Sequence, residues 1–169
     1  RKLGDKRGEA FALSNLGYVC LEQGEWEESD QYFQAALAIF RQISDRRSEA
    51  QVYNNLGRMH TGQGEWQQAI DFFQQSLRIK EELGEEPGKA YTYNDLGLLY
   101  SRQAEWEKAE KCYEMALSIR RKLNDASGTV ETLTALCEIY RRRGMWQETL
   151  PNYQEILELG RQLAVGDPF

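Results

Sequence analysis

Proline, histidine and cysteine are all scarce in this chain, and each scarcity excludes something. Only three prolines and one histidine, His60, occur among its 169 residues. So few prolines leave long helices uninterrupted. A lone histidine without ligand-spaced neighbours gives no expectation of a bound metal. The three cysteines, Cys20, Cys112 and Cys137, form an odd set with no C-x-x-C spacing. That is not a secreted disulfide framework, and a reducing, cytoplasmic setting is expected. Mean hydropathy is -0.70, and no apolar run approaches the roughly 20 residues of a membrane helix. Arg1, Lys2, Asp5, Lys6 and Arg7 crowd the start with no apolar stretch behind them, so no secretory leader is expected.

Positive charge is also short: 21 Lys and Arg stand against 27 Asp and Glu, a net charge of -6. Binding to a phosphate backbone or an anionic membrane rests on concentrated positive charge, so neither partner is expected. The one basic run, Arg141-Arg142-Arg143, reads as a solvated helix end. There is no P-loop, H-E-x-x-H, nucleophile elbow or dinucleotide fingerprint. Catalysis, metal and cofactor are therefore not expected.

What is present is a repeat. Trp26, Trp66, Trp106 and Trp146 are the only tryptophans and stand 40 residues apart, within GEWEES, GEWQQA, AEWEKA and GMWQET. Ten residues before each lies Leu16, Leu56, Leu96 or Leu136, followed by Gly17, Gly57, Gly97 or, as the exception, Cys137. Phe33, Phe73, Tyr113 and Tyr153, then Leu37, Leu77, Leu117 and Leu157, stay in step downstream. So many columns matching without a gap define four repeats, 4–43, 44–83, 84–123 and 124–163, with tails 1–3 and 164–169.

Each repeat reads as two amphipathic helices. In the second, Ala50, Tyr53, Gly57 and His60 form one stripe, and Ile70, Phe73, Leu77 and Lys80 form the other. Gly62, Gln63 and Gly64 supply the turn between them. Ile43-Ser44-Asp45, Leu83-Gly84-Glu85 and Leu123-Asn124-Asp125 supply the turns between repeats. The glycine column allows close approach of the partner helix, and Cys137 substitutes there at modest strain. The tryptophans, His60 and the cysteines are expected to be packing residues. Pro151 falls inside the last helix, which is expected to kink or start late there.

Tyr93, Leu96, Gly97, Tyr100, Ala109 and Tyr113 fit the W-x2-L-G-x2-Y, A-x3-F pattern, as do Tyr53, Leu56, Gly57, His60, Ala69 and Phe73. On these residues the sequence resembles the tetratricopeptide repeat over 4–163. It resembles most the 40-residue form found in kinesin light chains, Leu-Gly-Asn-type adaptors and bacterial regulatory arrays. The resemblance implies an all-α α-solenoid of four tandem antiparallel helix hairpins, wound as a right-handed superhelix. It also implies a protein or peptide ligand held in a concave groove lined by the first helices, within a larger signalling or regulatory protein.

By the same resemblance the groove residues are Phe11, Asn15 and Tyr18 in the first repeat, with Ser14. In the second they are Gln51, Asn54, Asn55 and Arg58. The third contributes Tyr91, Asn94, Asp95 and Arg102, and the fourth Glu131, Glu138 and Arg142. Asn15 and Asn55 match an asparagine that such proteins use to hold ligand backbone, whereas Asp95 and Ala135 depart from it. An asparagine offers both a donor and an acceptor to an extended chain. The plainer reading is that these side chains only solvate an exposed face. Arg58 and Arg102 are candidates for ligand carboxylates, with Asp95 and Glu131 as neighbours that would already satisfy them. The alternative function is self-assembly through the C-terminal repeat face, since residues 164–169 are too short for a capping helix.

Overall fold

The computed structural model describes the backbone of residues 3–165. Residues 1–2 and 166–169 of the two expected tails lie outside the described residues. Eight helices follow one another: α1 Leu3–Gln23, α2 Trp26–Gln42, α3 Arg46–Gln63, α4 Trp66–Glu82, α5 Glu86–Arg102, α6 Trp106–Lys122, α7 Ala126–Arg142 and α8 Trp146–Val165. Among the described residues there is no strand. The architecture is all-α, four helix hairpins of the α-solenoid class, as expected.

The chain divides into two compact units, one ending at Glu85 and the other beginning at Glu86. In the first, α1 pairs with α2 and α3 with α4, and the two hairpins meet where α2 packs on α3. In the second, α5 pairs with α6 and α7 with α8, and α6 packs on α7. Neither unit has a core of the usual closed kind; each seam joins one hairpin to its neighbour. The first seam is filled by Phe33, Phe40, Tyr53, Leu56 and Met59, the second by Tyr113, Leu117, Leu133 and Leu136. A fully buried phenylalanine such as Phe33 contributes roughly 2–3 kcal/mol through apolar burial.

All the turns are built alike. After α1, Gly24 N–H donates to Leu21 O at 3.1 Å and Glu25 N–H to Cys20 O at 2.9 Å. This crossed pair satisfies carbonyls that the helix end leaves free, and it requires a left-handed residue just past the helix. The same pair recurs after every helix from α2 to α7. Gly24, Gly64, Gly84 and Gly144 fill the left-handed position, and elsewhere it falls to Ser44, Ala104 and Asn124. Asp45 and Asp125 cap the helices that follow, accepting from Ser48 N–H at 3.1 Å and Gly128 N–H at 2.9 Å.

Within each of the first three hairpins the glycine column meets an aromatic ring. A Cβ added at Gly57 would lie 2.6–2.9 Å from ring carbons of Phe73, and one at Gly97 2.6–2.8 Å from those of Tyr113. No ordinary contact is that short, so the ring sits where a side chain would otherwise be. The fourth hairpin shows the converse. Cys137 is buried, and Tyr153, in the ring column, is 46% exposed where Phe33 and Phe73 are 0%. In this hairpin the small side chain of the glycine column is buried and the ring of the aromatic column is open. Ser29 Oγ donates to Gly17 O and Ser76 Oγ to Ala50 O, each at 2.8 Å, adding a buried polar tie to two of these contacts.

Two further expectations are corrected. Gly62 is not part of a turn: α3 continues through it to Gln63, and its missing side chain makes room for the Trp26 indole, 2.7 Å from where a Cβ would lie. Trp26 is therefore a packing residue between successive repeats. Of the two outcomes expected at Pro151, a kink or a late start, the late start is excluded, since α8 starts at Trp146 and runs through it. His60 stacks on Phe72 at 5.1 Å, with Nδ1 2.6 Å from Glu65 Oε2, the packing role expected.

Candidate functional site

In the first unit, seven of the expected groove residues converge, Ser14 among them. Phe11, Ser14, Asn15 and Tyr18 project from α1 and Gln51, Asn55 and Arg58 from α3, and all seven line one pocket of about 480 Å³. Their helical spacing of three, four and seven places each set on a single face. The polar part is a row of amides. Gln51 Nε2 donates to Asn55 Oδ1 at 3.4 Å, one turn along α3. The apolar part is aromatic: Phe11 meets Phe40 of α2 edge-to-face at 5.2 Å, so Phe40 forms the floor. Arg58 lies 5.3 Å over the Tyr18 ring and reaches Glu22 at 3.3 Å. Arg7 and Arg47 add two further guanidinium groups to the rim, paired with Asp45 at 3.1 Å and Glu85 at 3.8 Å.

Asn54 departs from the expectation. It is 4% exposed and does not line the pocket.

In the second unit the expected residues split into two groups. Arg102, Glu138 and Arg142 line a pocket of about 280 Å³ with Leu98, Trp106 and Tyr113. Glu138 is gripped by both neighbours, accepting from Arg142 Nε at 2.7 Å and Arg141 Nε at 2.8 Å. These bonds, Arg142's first and Arg141's second, hold its carboxyl below the ordinary value. The basic run is therefore ion-paired rather than simply solvated, for Arg143 also reaches Glu107 and Glu110, each at 3.1 Å.

The other group, Tyr91, Asn94 and Glu131, surrounds Arg120, which is 1% exposed. The Arg120 guanidinium lies 5.2 Å under the Tyr91 ring and 3.1 Å from Glu131 Oε2. It also donates to Gly128 O and to Thr132 Oγ1. Asn94 joins this network, donating to Glu131 at 3.4 Å and accepting from Thr132 Oγ1 at 3.2 Å. Glu131 is thus satisfied by Arg120, not by Arg102. Asp95 is half-buried and lines neither pocket.

Phe40 and Arg120 escape sequence reasoning although they share one column, which holds Phe40, Lys80, Arg120 and Gly160 in turn. A column that changes chemistry at every repeat carries no pattern to notice. Its signal is positional: it lies one turn past the Leu37 column, on the side facing the next hairpin's first helix. Among the described residues no group of three His, Cys, Asp or Glu side chains is placed to hold a metal. No helix among them is long and apolar enough to cross a membrane.

Profiles described as tetratricopeptide repeat match residues 8–82 and 90–123, together more than half of the chain. No curated protein matches it. Among solved structures, BtubC (BKLC) from P. vanneervenii is 21% identical with a TM-score of 0.79, covering 95% of this chain and 66% of its own. Aspartyl phosphate phosphatase F from Bacillus subtilis is 13% identical with a TM-score of 0.88, covering 94% of this chain and 42% of its own. A Rap protein complexed with competence and sporulation factor is 18% identical with a TM-score of 0.84, covering 92% and 43%. The chain therefore spans less than two thirds of the length of each. The fold is that of an interaction scaffold, and the chain belongs to the tetratricopeptide-repeat family.

Proposed function

We propose that this chain is a non-catalytic scaffold that holds an extended peptide or partner segment in the α1/α3 pocket. The observation that carries this reading is the convergence of Asn15, Gln51 and Asn55 amides with the Phe11, Tyr18 and Phe40 rings around one cavity. An extended segment presents backbone N–H and C=O groups to match the amides, and alternate side chains to enter the aromatic floor. Each such hydrogen bond contributes about 0.5–1.5 kcal/mol net, and ring burial adds to it. The smaller pocket of the second unit, with Arg102, Glu138 and Arg142, is a second candidate site of mixed charge.

A net charge of -6 disfavours nucleic acid or an anionic membrane as partner. One structure sharing this helical path is complexed with competence and sporulation factor, which supports a ligand-holding role within a signalling or regulatory protein of the cytoplasm. The test is selection of random peptides displayed on phage against the immobilised chain, followed by affinity measurement on the chain with Asn15→Ala and Asn55→Ala. Selected peptides should bind the changed chain about 10- to 100-fold more weakly. Equal binding to both would remove the α1/α3 pocket as the site.

A further inference from the structure

The second unit buries a charge where the first buries a hydrocarbon. Phe40 and Arg120 share one column, and each is 1% exposed. The positions around them differ together: where the first unit has Ser48, Gln51 and Val52, the second has Gly128, Glu131 and Thr132. Gly128 leaves the room that the guanidinium takes, for a Cβ there would lie 2.8 Å from Arg120 Nε. These residues form one set built around Arg120.

The set does not satisfy the group that it holds. Nη1 donates to Gly128 O and Thr132 Oγ1 and lies 3.1 Å from Glu131 Oε2. Among the described residues nothing accepts a hydrogen bond from Nε or Nη2, although both atoms are buried. Asp125 Oδ2, 4.0 Å from Nε, is too distant for one. Charged donors buried without acceptors are costly, and Phe40 shows that the fold does not require a charge in this column.

Two surface side chains cover the guanidinium. Tyr91 lies over it, and Glu131 meets Nη1 with a side chain that is 57% exposed. Either can turn outward without unpacking a core. The faces of α5 and α7 that carry them continue into the pocket of about 280 Å³, since Leu98 and Glu138 stand seven residues past Tyr91 and Glu131. Two helical turns are about 10 Å, the reach of roughly three extended residues. A ligand that meets both Arg120 and that pocket is a chain rather than a small acid.

We propose that Arg120 receives the carboxylate of an Asp or Glu side chain on an extended partner segment, which displaces Glu131 from the guanidinium. A carboxylate set against the Nη1/Nη2 edge bonds both nitrogens, whereas Glu131 leaves Nη2 unbonded. An apolar side chain about three residues along the segment enters the pocket beside Leu98 and Trp106. Glu131 is then a built-in competitor that only a ligand bringing its own carboxylate replaces. The proposal rests on reading the pocket of the second unit as a second candidate site, and it does not involve the α1/α3 pocket.

The test is NMR on the isotope-labelled chain with two peptides, Ac-Ala-Glu-Ala-Ala-Leu-Ala-NH2 and Ac-Ala-Leu-Ala-Ala-Glu-Ala-NH2, which cover both chain directions. Each is compared with its Gln counterpart. One of the Glu peptides should shift the Arg120 Nε–H and Tyr91 ring signals, with a midpoint about 10-fold or more below that of its Gln counterpart. Sodium acetate should need on the order of 100-fold more, because it lacks the chain that reaches the pocket. Glu131→Gln should tighten the Glu peptide about 10-fold and leave the Gln peptide unchanged. Arg120→Phe with Thr132→Val, which copies Phe40 and Val52, should melt about 3–8 °C higher and bind Glu and Gln peptides alike. Equal midpoints for Glu and Gln peptides on the unchanged chain, acetate as effective as the peptide, or a Glu131→Gln chain that binds the Glu peptide more weakly would overturn the proposal. So would a lower melting temperature for the double variant, which would make Arg120 a structural residue. Shifts confined to Asn15, Gln51 and Asn55 would overturn it while leaving the α1/α3 reading intact.

Discussion

Replacing Gly57 by alanine tests how the hairpins are held together. In an exposed helix interior this change gains about 1 kcal/mol of helix propensity. Here the new methyl would meet three ring carbons of Phe73 at 2.6–2.9 Å. Ordinary carbon contact is about 3.5–4.0 Å, so the ring must retreat by roughly 1 Å. Phe73 is fully buried and Ser76, one turn on, is tied to Ala50 O at 2.8 Å, so the helix that carries the ring has little freedom to yield. Overpacking of this kind costs about 1–3 kcal/mol, which outweighs the propensity gain or at least cancels it. Shortening the ring separates the two effects. With Phe73→Leu already present, Gly57→Ala should be neutral or stabilising by up to about 1 kcal/mol. The two changes should therefore couple by about 2 kcal/mol, read from urea midpoints at unchanged slope. A Gly57→Ala chain that gains stability with Phe73 intact would refute the argument.

Ala104 holds the left-handed position after α5 with φ 57°, so Ala104→Gly should raise stability by about 1 kcal/mol, measured by thermal or urea melting. Burial pushes the Cys112 thiol up to about 11, so its alkylation by iodoacetamide should rise about tenfold per pH unit from 7 to 10 without levelling off. Glu138 should titrate below the ordinary carboxylate value in a carbon-detected NMR titration, and Arg142→Ala should move its midpoint upward. Because its native value is depressed, the stability that Glu138 contributes is complete above the unfolded-state value and disappears as pH falls through the native one.

The fold was legible because its physics repeats. Trp26 and its three successors mark each second helix, and the Gly57 column marks each crossing, so four independent copies of the same signal agree. The pocket was partly legible for the same reason: Asn15 and Asn55 occupy one column and end in one cavity. Errors arose where a residue's usual role differs from its local one. Gly62 looks like a turn residue, yet it clears space for Trp26 inside α3, a contact between repeats that no single repeat reveals. Pro151 lies within α8 at the cost of one hydrogen bond, which the rest of the helix tolerates. Arg120 stayed hidden because its column changes from Phe40 through Lys80 to Arg120, and only tertiary packing unites those positions.

The central claim, that the α1/α3 pocket is the ligand site, is tested most directly by side-chain amide NMR. A phage-selected peptide titrated into the isotope-labelled chain should shift the side-chain NH2 signals of Asn15, Gln51 and Asn55. Shifts gathered instead on Gln74 and Gln75 of α4, with those three unmoved, would contradict it.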